Sequence, residues 1–203
     1  MEGGSVDWHE RYQVGDTPWD KGIAAPALVD FISEHADFFS SGKKFLVPGC
    51  GRGYDAKVIA RAGGQVLAAD IVEEALEFGR RDNPDGIDFR CLDIFKISER
   101  WDVSFDGVWE HTCFCAIEPE VREAYVEVMW RILKPGGTLL GVFFTNPDMP
   151  EGEGPPYKTG VDVIERYFGE LFEIEWIREP SSYYPGREGR EHLVLMRKRG
   201  FHR

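Results

Sequence analysis

Apolar positions along the chain fall into short runs that alternate between two spacings. From Ile23 to Phe38 they recur at helical intervals, with Leu28, Phe31 and Ile32 on one side, followed by Phe38 and Phe39. A polar turn at Ser40–Gly42 separates this helix from KKFLV, which reads as a buried strand ending at Pro48. After a glycine cluster, Tyr54 to Ala62 reads as a helix stopped by Gly63 and Gly64. QVLAAD is a second buried strand closing on Asp70. VEEALEFGRR follows as a helix with its acids in the first turn, where the helix dipole favours them. IDFRCLD is a third strand ending at Asp93, and DGVWE a fourth. PEVREAYVEVMWRIL is a helix with Pro119 at its start and KPGG at its end. TLLGVFF is a fifth strand, VDVIERYFG a helix, and LFEIEWI and EHLVLMRK close the chain as two strands.

Strands alternating with helices call for crossover connections and a mostly parallel sheet. The last two strands have no helix between them and pair antiparallel. The expected fold is a Rossmann-like α/β architecture: a doubly wound, mostly parallel seven-stranded sheet with an antiparallel C-terminal strand pair. At 203 residues the chain suffices for one domain spanning 1–203.

The net charge of −12 repels polyanions, so no nucleic-acid partner is expected. No apolar run reaches the ~18–20 residues of a membrane span. The N-terminal MEGGSVDWHERYQ lacks the basic and apolar regions of a signal peptide, and the expected location is the cytoplasm. Cys50, Cys91, Cys113 and Cys115 read as buried thiols filling core gaps. The spacing of Cys113 and Cys115 is poor for zinc, so no metal is expected. No exposed apolar stripe stands out, which fits a monomer or weak homo-oligomer.

In an open α/β sheet, ligands bind beyond the carboxyl ends of the strands. The first strand delivers VPGCGRGYD there, with glycines at 49, 51 and 53. Asp70, 17 residues after Gly53, is placed to accept both hydroxyls of a ribose, and Asp93 to meet an adenine amino group. Each acid alone is commonly a helix N-cap, but glycine loop, Asp and Asp on adjacent strand ends indicate an adenosine-containing cofactor. A nicotinamide dinucleotide fits less well. Its GxGxxG pattern would place a third glycine where Tyr54 stands.

These and other motifs resemble the thiopurine S-methyltransferase family, most closely its branch of halide and thiol methyltransferases. The landmarks cover nearly the whole chain: two tryptophans inside VDWHERYQVGDTPWDKG, then LVPGCGRGYD, AAD, CLDIF, FCAIEPEVREAY, LKPGG and GPPY. The resemblance implies S-adenosylmethionine as cofactor, with S-adenosylhomocysteine as its product, and an N-terminal lid over residues 1–22. It implies that Trp8 and Trp19 pack against the cofactor, with a cation–π contact between indole and sulfonium. It assigns cofactor binding to Gly49, Gly51, Asp70, Ile71, Asp93 and Ile94. His111 stands where relatives carry Tyr or Arg near the methyl group and the acceptor, so it belongs to both cofactor and catalytic sets.

The implied reaction is an in-line methyl transfer to a small-molecule acceptor: a thiol, bisulfide, halide or thiocyanate. A thiol acceptor with pKa near ~8.5 benefits from a base, and that role falls to His111 assisted by Glu110. Trp19, Phe114, Phe144, Thr145 and Tyr157 are expected to line the acceptor pocket. Arg187 and Arg190 read as a solvated turn outside it. Alternatives are a larger heteroaromatic thiol or other metabolite as acceptor, and a cofactor-binding module without catalysis.

Overall fold

The computed structural model describes residues 6–81, 85–150 and 152–200. Seven strands form one sheet: β1 (Lys44–Pro48), β2 (Gln65–Asp70), β3 (Ile87–Cys91), β4 (Phe105–His111), β5 (Leu133–Phe144), β6 (Phe172–Arg178) and β7 (Glu191–Lys198). Their order is β3-β2-β1-β4-β5-β7-β6, with β7 antiparallel to both neighbours and the rest parallel. The chain runs outward from β1 to β3, then returns to the other side of β1. The sheet therefore has its switch point between β1 and β4, where such folds open a ligand crevice.

The described residues form six helices: α1 (Trp8–Gln13) in the N-terminal segment, and α2 (Pro26–Glu34), α3 (Tyr54–Arg61), α4 (Glu73–Arg80), α5 (Arg122–Ile132) and α6 (Val161–Phe168) around the sheet. Pro26 at the first position of α2 suits a turn whose amides lack helical partners. Asp7 caps α1 by accepting from Glu10 N at 3.0 Å. Strand alternation separates two cores. Leu46, Leu67, Val108 and Leu139 face Phe114, Tyr125, Met129 and Phe168 on the α5–α6 side. Phe45, Val47, Trp109 and Leu140 face Leu28, Phe31, Phe39 and Ile59 on the α2–α3 side.

Several boundaries differ from the hydrophobic pattern. The helix expected from Ile23 to Phe38 is only Pro26–Glu34, because the phenylalanines after it pack from a turn. Pro119–Val121 forms a separate 3-10 turn before α5. KPGG lies inside β5: Leu133 already pairs with Phe105, the four residues bulge outward, and pairing resumes at Thr138. β3 ends at Cys91, so Asp93 lies two residues beyond the strand and caps the 3-10 turn Ile94–Lys96. Cys115 is buried as expected, but Cys91 is exposed on the edge strand. No helix among the described residues is long and apolar enough to cross a membrane.

Candidate active site

A pocket opens at the switch point, beyond the ends of β1 and β4. Its walls are the glycine loop (Gly49–Arg52), the start of α3, His111 and Thr112, Tyr184, and the N-terminal segment with Tyr12, Trp19 and Ile23. The loop turns sharply because Gly49, Gly51 and Gly53 all have positive φ, at 57°, 52° and 74°. A side chain at residue 49 would meet Cys113 Sγ at 2.9 Å, and one at residue 53 would meet Phe89 at 2.5 Å. Close packing against Cys113 and Phe89 thus requires glycine at 49 and 53, and the loop backbone at 49–52 borders the pocket. Asp70 holds this turn to β2: one carboxylate oxygen accepts from Gly51 N at 2.7 Å, the other from Val72 N at 3.0 Å. Burial raises its pKa despite these bonds.

The N-terminal segment lies across the loop. Trp19 packs edge-on against Trp8 at 5.3 Å and Tyr12 at 5.8 Å, and its Nε1 donates to the Tyr12 hydroxyl at 3.3 Å. Arg11 stacks its guanidinium over Trp19 at 4.5 Å. Arg52 of the glycine loop pairs with Asp20 at 2.9 Å, and the Tyr184 hydroxyl donates to Ile23 O at 2.9 Å. Trp19 faces the pocket, whereas Trp8 supports it from behind. The expected lid begins at residues 1–5, which lie outside the described residues.

His111, the last residue of β4, is bound on its Nδ1 side to Asp55 Oδ2 at 2.8 Å. Asp55 stands in the first turn of α3 and also accepts from Trp109 Nε1 at 2.7 Å and Ala25 N at 2.7 Å. Burial alone would raise the Asp55 carboxyl, but His111 and these donors hold it below the ordinary range. Burial alone would depress the imidazolium, but Asp55, with Glu191 and Glu110 beyond it, lifts His111 above its usual value. Tyr184 stacks on the imidazole at 5.9 Å.

The pairing of His111 with Glu110 requires correction. Successive strand residues point to opposite faces, so Glu110 enters the α5–α6 core while His111 faces the pocket. Glu110 is fully buried, and its Oε1 accepts from Phe114 N at 2.7 Å. Burial raises its pKa to about 7. Phe114 also leaves the acceptor pocket, because its 3-10 turn drives the ring into the core against Phe143 and Phe168.

Phe144, Thr145 and Tyr157 do not border this pocket. Phe144 is covered by the Arg187 guanidinium at 3.8 Å, Thr145 bonds His192 at 2.8 Å, and Tyr157 N donates to Cys115 O at 2.7 Å. Arg187 itself is no solvated residue: only 14% of its side chain is exposed, and it pairs with Glu191 at 2.8 Å. Arg190 does pair at the surface, with Asp148. Asp93 caps its turn through Phe95 N at 3.0 Å and pairs with Lys96 at 3.0 Å; Ile94 is buried beneath, and Ile71 is exposed beside the strand end.

Sequence reasoning missed Asp55, Tyr12 and Tyr184. Asp55 had a signal, an acid directly after the glycine loop, but its partner sits 56 residues away. Tyr184 lies in a turn-rich stretch without periodicity and gave none.

The family model described as Thiopurine S-methyltransferase (TPMT) matches residues 4–199. "Thiocyanate methyltransferase 1" of Brassica oleracea is 34% identical, with 97% of this chain and 85% of that protein aligned. "Probable thiol methyltransferase 2" of Arabidopsis thaliana is 32% identical over 97% and 87%. "Thiopurine S-methyltransferase" of Legionella pneumophila (strain Philadelphia 1) is 26% identical over 95% and 92%. In fold, the chain is similar to Burkholderia thailandensis 1,6-didemethyltoxoflavin-N1-methyltransferase, with TM-score 0.69 and 20% identity over 94% and 85%. Given this match across the chain, on a fold whose switch point carries the glycine loop that Asp70 holds to β2, the protein belongs to the thiopurine S-methyltransferase family and is an S-adenosylmethionine-dependent methyltransferase.

Proposed function

We propose that the protein methylates a small, soft nucleophile, with thiols and bisulfide first and halides or thiocyanate alongside them. The observation carrying this reading is the His111 imidazole. It is bound on one nitrogen by Asp55 and lies beside the aromatic and glycine walls of the pocket. The names of the thiocyanate and thiol methyltransferase relatives support the same class of acceptor. The Legionella thiopurine relative keeps a larger heteroaromatic thiol as the second reading.

When bound, the cofactor supplies a methyl group on a sulfonium, already activated toward displacement. The chain then has to hold, align and keep dry. In this reading Gly49 and Gly51 let the backbone lie against the cofactor, and Asp70 accepts from its ribose. Trp19 presents an indole face to the cation, and the turn at Asp93 and Ile94 borders the adenine. Trp8 anchors Trp19, and the segment up to residue 22 acts as a lid. Alignment of this kind supplies ~7–11 kcal/mol of a barrier. An anionic halide or thiocyanate needs nothing more, whereas a thiol needs its proton removed, a task for His111.

The test is headspace gas chromatography of the purified protein with S-adenosylmethionine and, separately, methanethiol, bisulfide, iodide and thiocyanate. The expected result is a methylated product from the sulfur acceptors. Silence from all four, with 6-mercaptopurine methylated, would replace this reading with the heteroaromatic one.

A further inference from the structure

The α3 carboxylate of Asp55 is almost wholly buried at the wall of the pocket. It is surrounded by three donors, from Ala25 N, Trp109 Nε1 and the His111 ring. A buried carboxylate that keeps its charge accepts hydrogen bonds only. Trp109 is a pure donor, wholly buried, and fixes Oδ2 from below. The His111 Nδ1 facing that same oxygen must therefore carry a proton, so that in the neutral ring, populated above the raised pKa, Nε2 is the nitrogen with a free lone pair.

We infer that Asp55 is a positioning residue for methyl transfer to thiols: held by Trp109 and Ala25, it locks His111 in the Nδ1-protonated tautomer, so that Nε2 takes the acceptor's proton. The S–H bond breaks, its electron pair stays on sulfur, and the proton passes to Nε2. The resulting imidazolium is neutralised by the Asp55 carboxylate and returns its proton to water after the thioether has formed. Tyr184 before β7 stacks on the ring, Glu191 on β7 and, from the opposite face of the sheet, Glu110 on β4 act on it through their charge, and Asp20 and Lys21 of the N-terminal segment share the pocket. None of these makes a hydrogen bond to the ring, so the tautomer rests on Asp55 alone. The arrangement depends on histidine at residue 111, which makes Asp55 more than a cap for the Ala25 amide.

This inference rests on the proposed acceptor class, and its test separates the two. Asp55→Ala removes the oxygen that Trp109 Nε1 and His111 Nδ1 share, so the neutral ring is left to its intrinsic preference for the Nε2-protonated tautomer. Nitrogen-15 NMR of the histidine rings should show His111 protonated at Nδ1 in the wild type and at Nε2 in the variant. Turnover of methanethiol at pH 7 should fall about 10²-fold or more in kcat, with KM changing less than about threefold. Turnover of iodide, which has no proton to lose, should stay within about threefold, and cofactor affinity by calorimetry likewise. Asp55→Glu, able to restore the carboxylate, should recover part of the thiol rate. An unchanged tautomer, or equal losses on methanethiol and iodide, would overturn the positioning role. A wild type inactive on both acceptors would refute the proposed function instead, and the ring spectrum would still decide the tautomer.

Discussion

Replacing Glu110 by Gln tests the assignment of this carboxyl to the core. The side chain is fully buried between β4 and α5; Oε1 accepts from Phe114 N, and Oε2 has no hydrogen-bond partner among the described residues. Burial raises its pKa from 4.5 to about 7, outweighing the Phe114 amide and the more distant His111 and Arg122 charges. The unfolded chain releases this proton near pH 4.5, whereas the native protein keeps it until about 7. Between those values the native state binds more protons, so stability falls as pH rises, by about 1.4 kcal/mol per pH unit. The loss reaches about 3 kcal/mol and is complete above pH 7 to 8, a large part of a typical domain's stability. Glutamine is neutral throughout and keeps the acceptor for Phe114 N. Any cost of its amide beside Arg122 is the same at every pH. Urea unfolding followed by tryptophan fluorescence at pH 5, 6, 7 and 8 should show the variant gaining on the wild type by about 2.5 kcal/mol over the series. Parallel stability curves, within about 0.5 kcal/mol, would refute the buried, proton-retaining Glu110.

Other expectations follow from the same geometry. Trp19→Ala removes the indole that faces the pocket; cofactor affinity by calorimetry should fall roughly 5- to 30-fold, as for one cation–π contact of ~1–2 kcal/mol. Gly53→Ala places a methyl against Phe89 at a φ of 74°, and should cost about 1–3 kcal/mol in denaturant unfolding. Asp70→Asn leaves one of the Gly51 and Val72 amides facing an NH2 group. It should destabilise the fold by about 1–2 kcal/mol and weaken cofactor binding in the same calorimetric assay.

Much of this architecture is legible in the chain itself, because alternating strand and helix periods admit few topologies. The glycine loop and Asp70 sit where the pattern places them, since both belong to strand ends whose direction the fold dictates. Side-chain destinations in irregular segments were not legible. Phe114 and Phe144 carry the same apolar signal whether they line a pocket or fill a core, and the 3-10 turn sends Phe114 inward. Adjacent acids and bases on a strand suggest a pair, yet the two-residue period parts Glu110 from His111 and delivers the latter to Asp55. Arg187 reads as a loop cation until Phe144 and Glu191 are seen to enclose it.

The most direct test of the central claim is a single turnover with protein in excess over S-adenosylmethionine carrying a trideuterated methyl group, and methanethiol as acceptor. Mass spectrometry of the headspace should find dimethyl sulfide carrying one trideuteromethyl group, in amounts matching the S-adenosylhomocysteine formed. Cofactor bound at one per chain by calorimetry, with no labelled methyl group on any sulfur acceptor, would contradict the account.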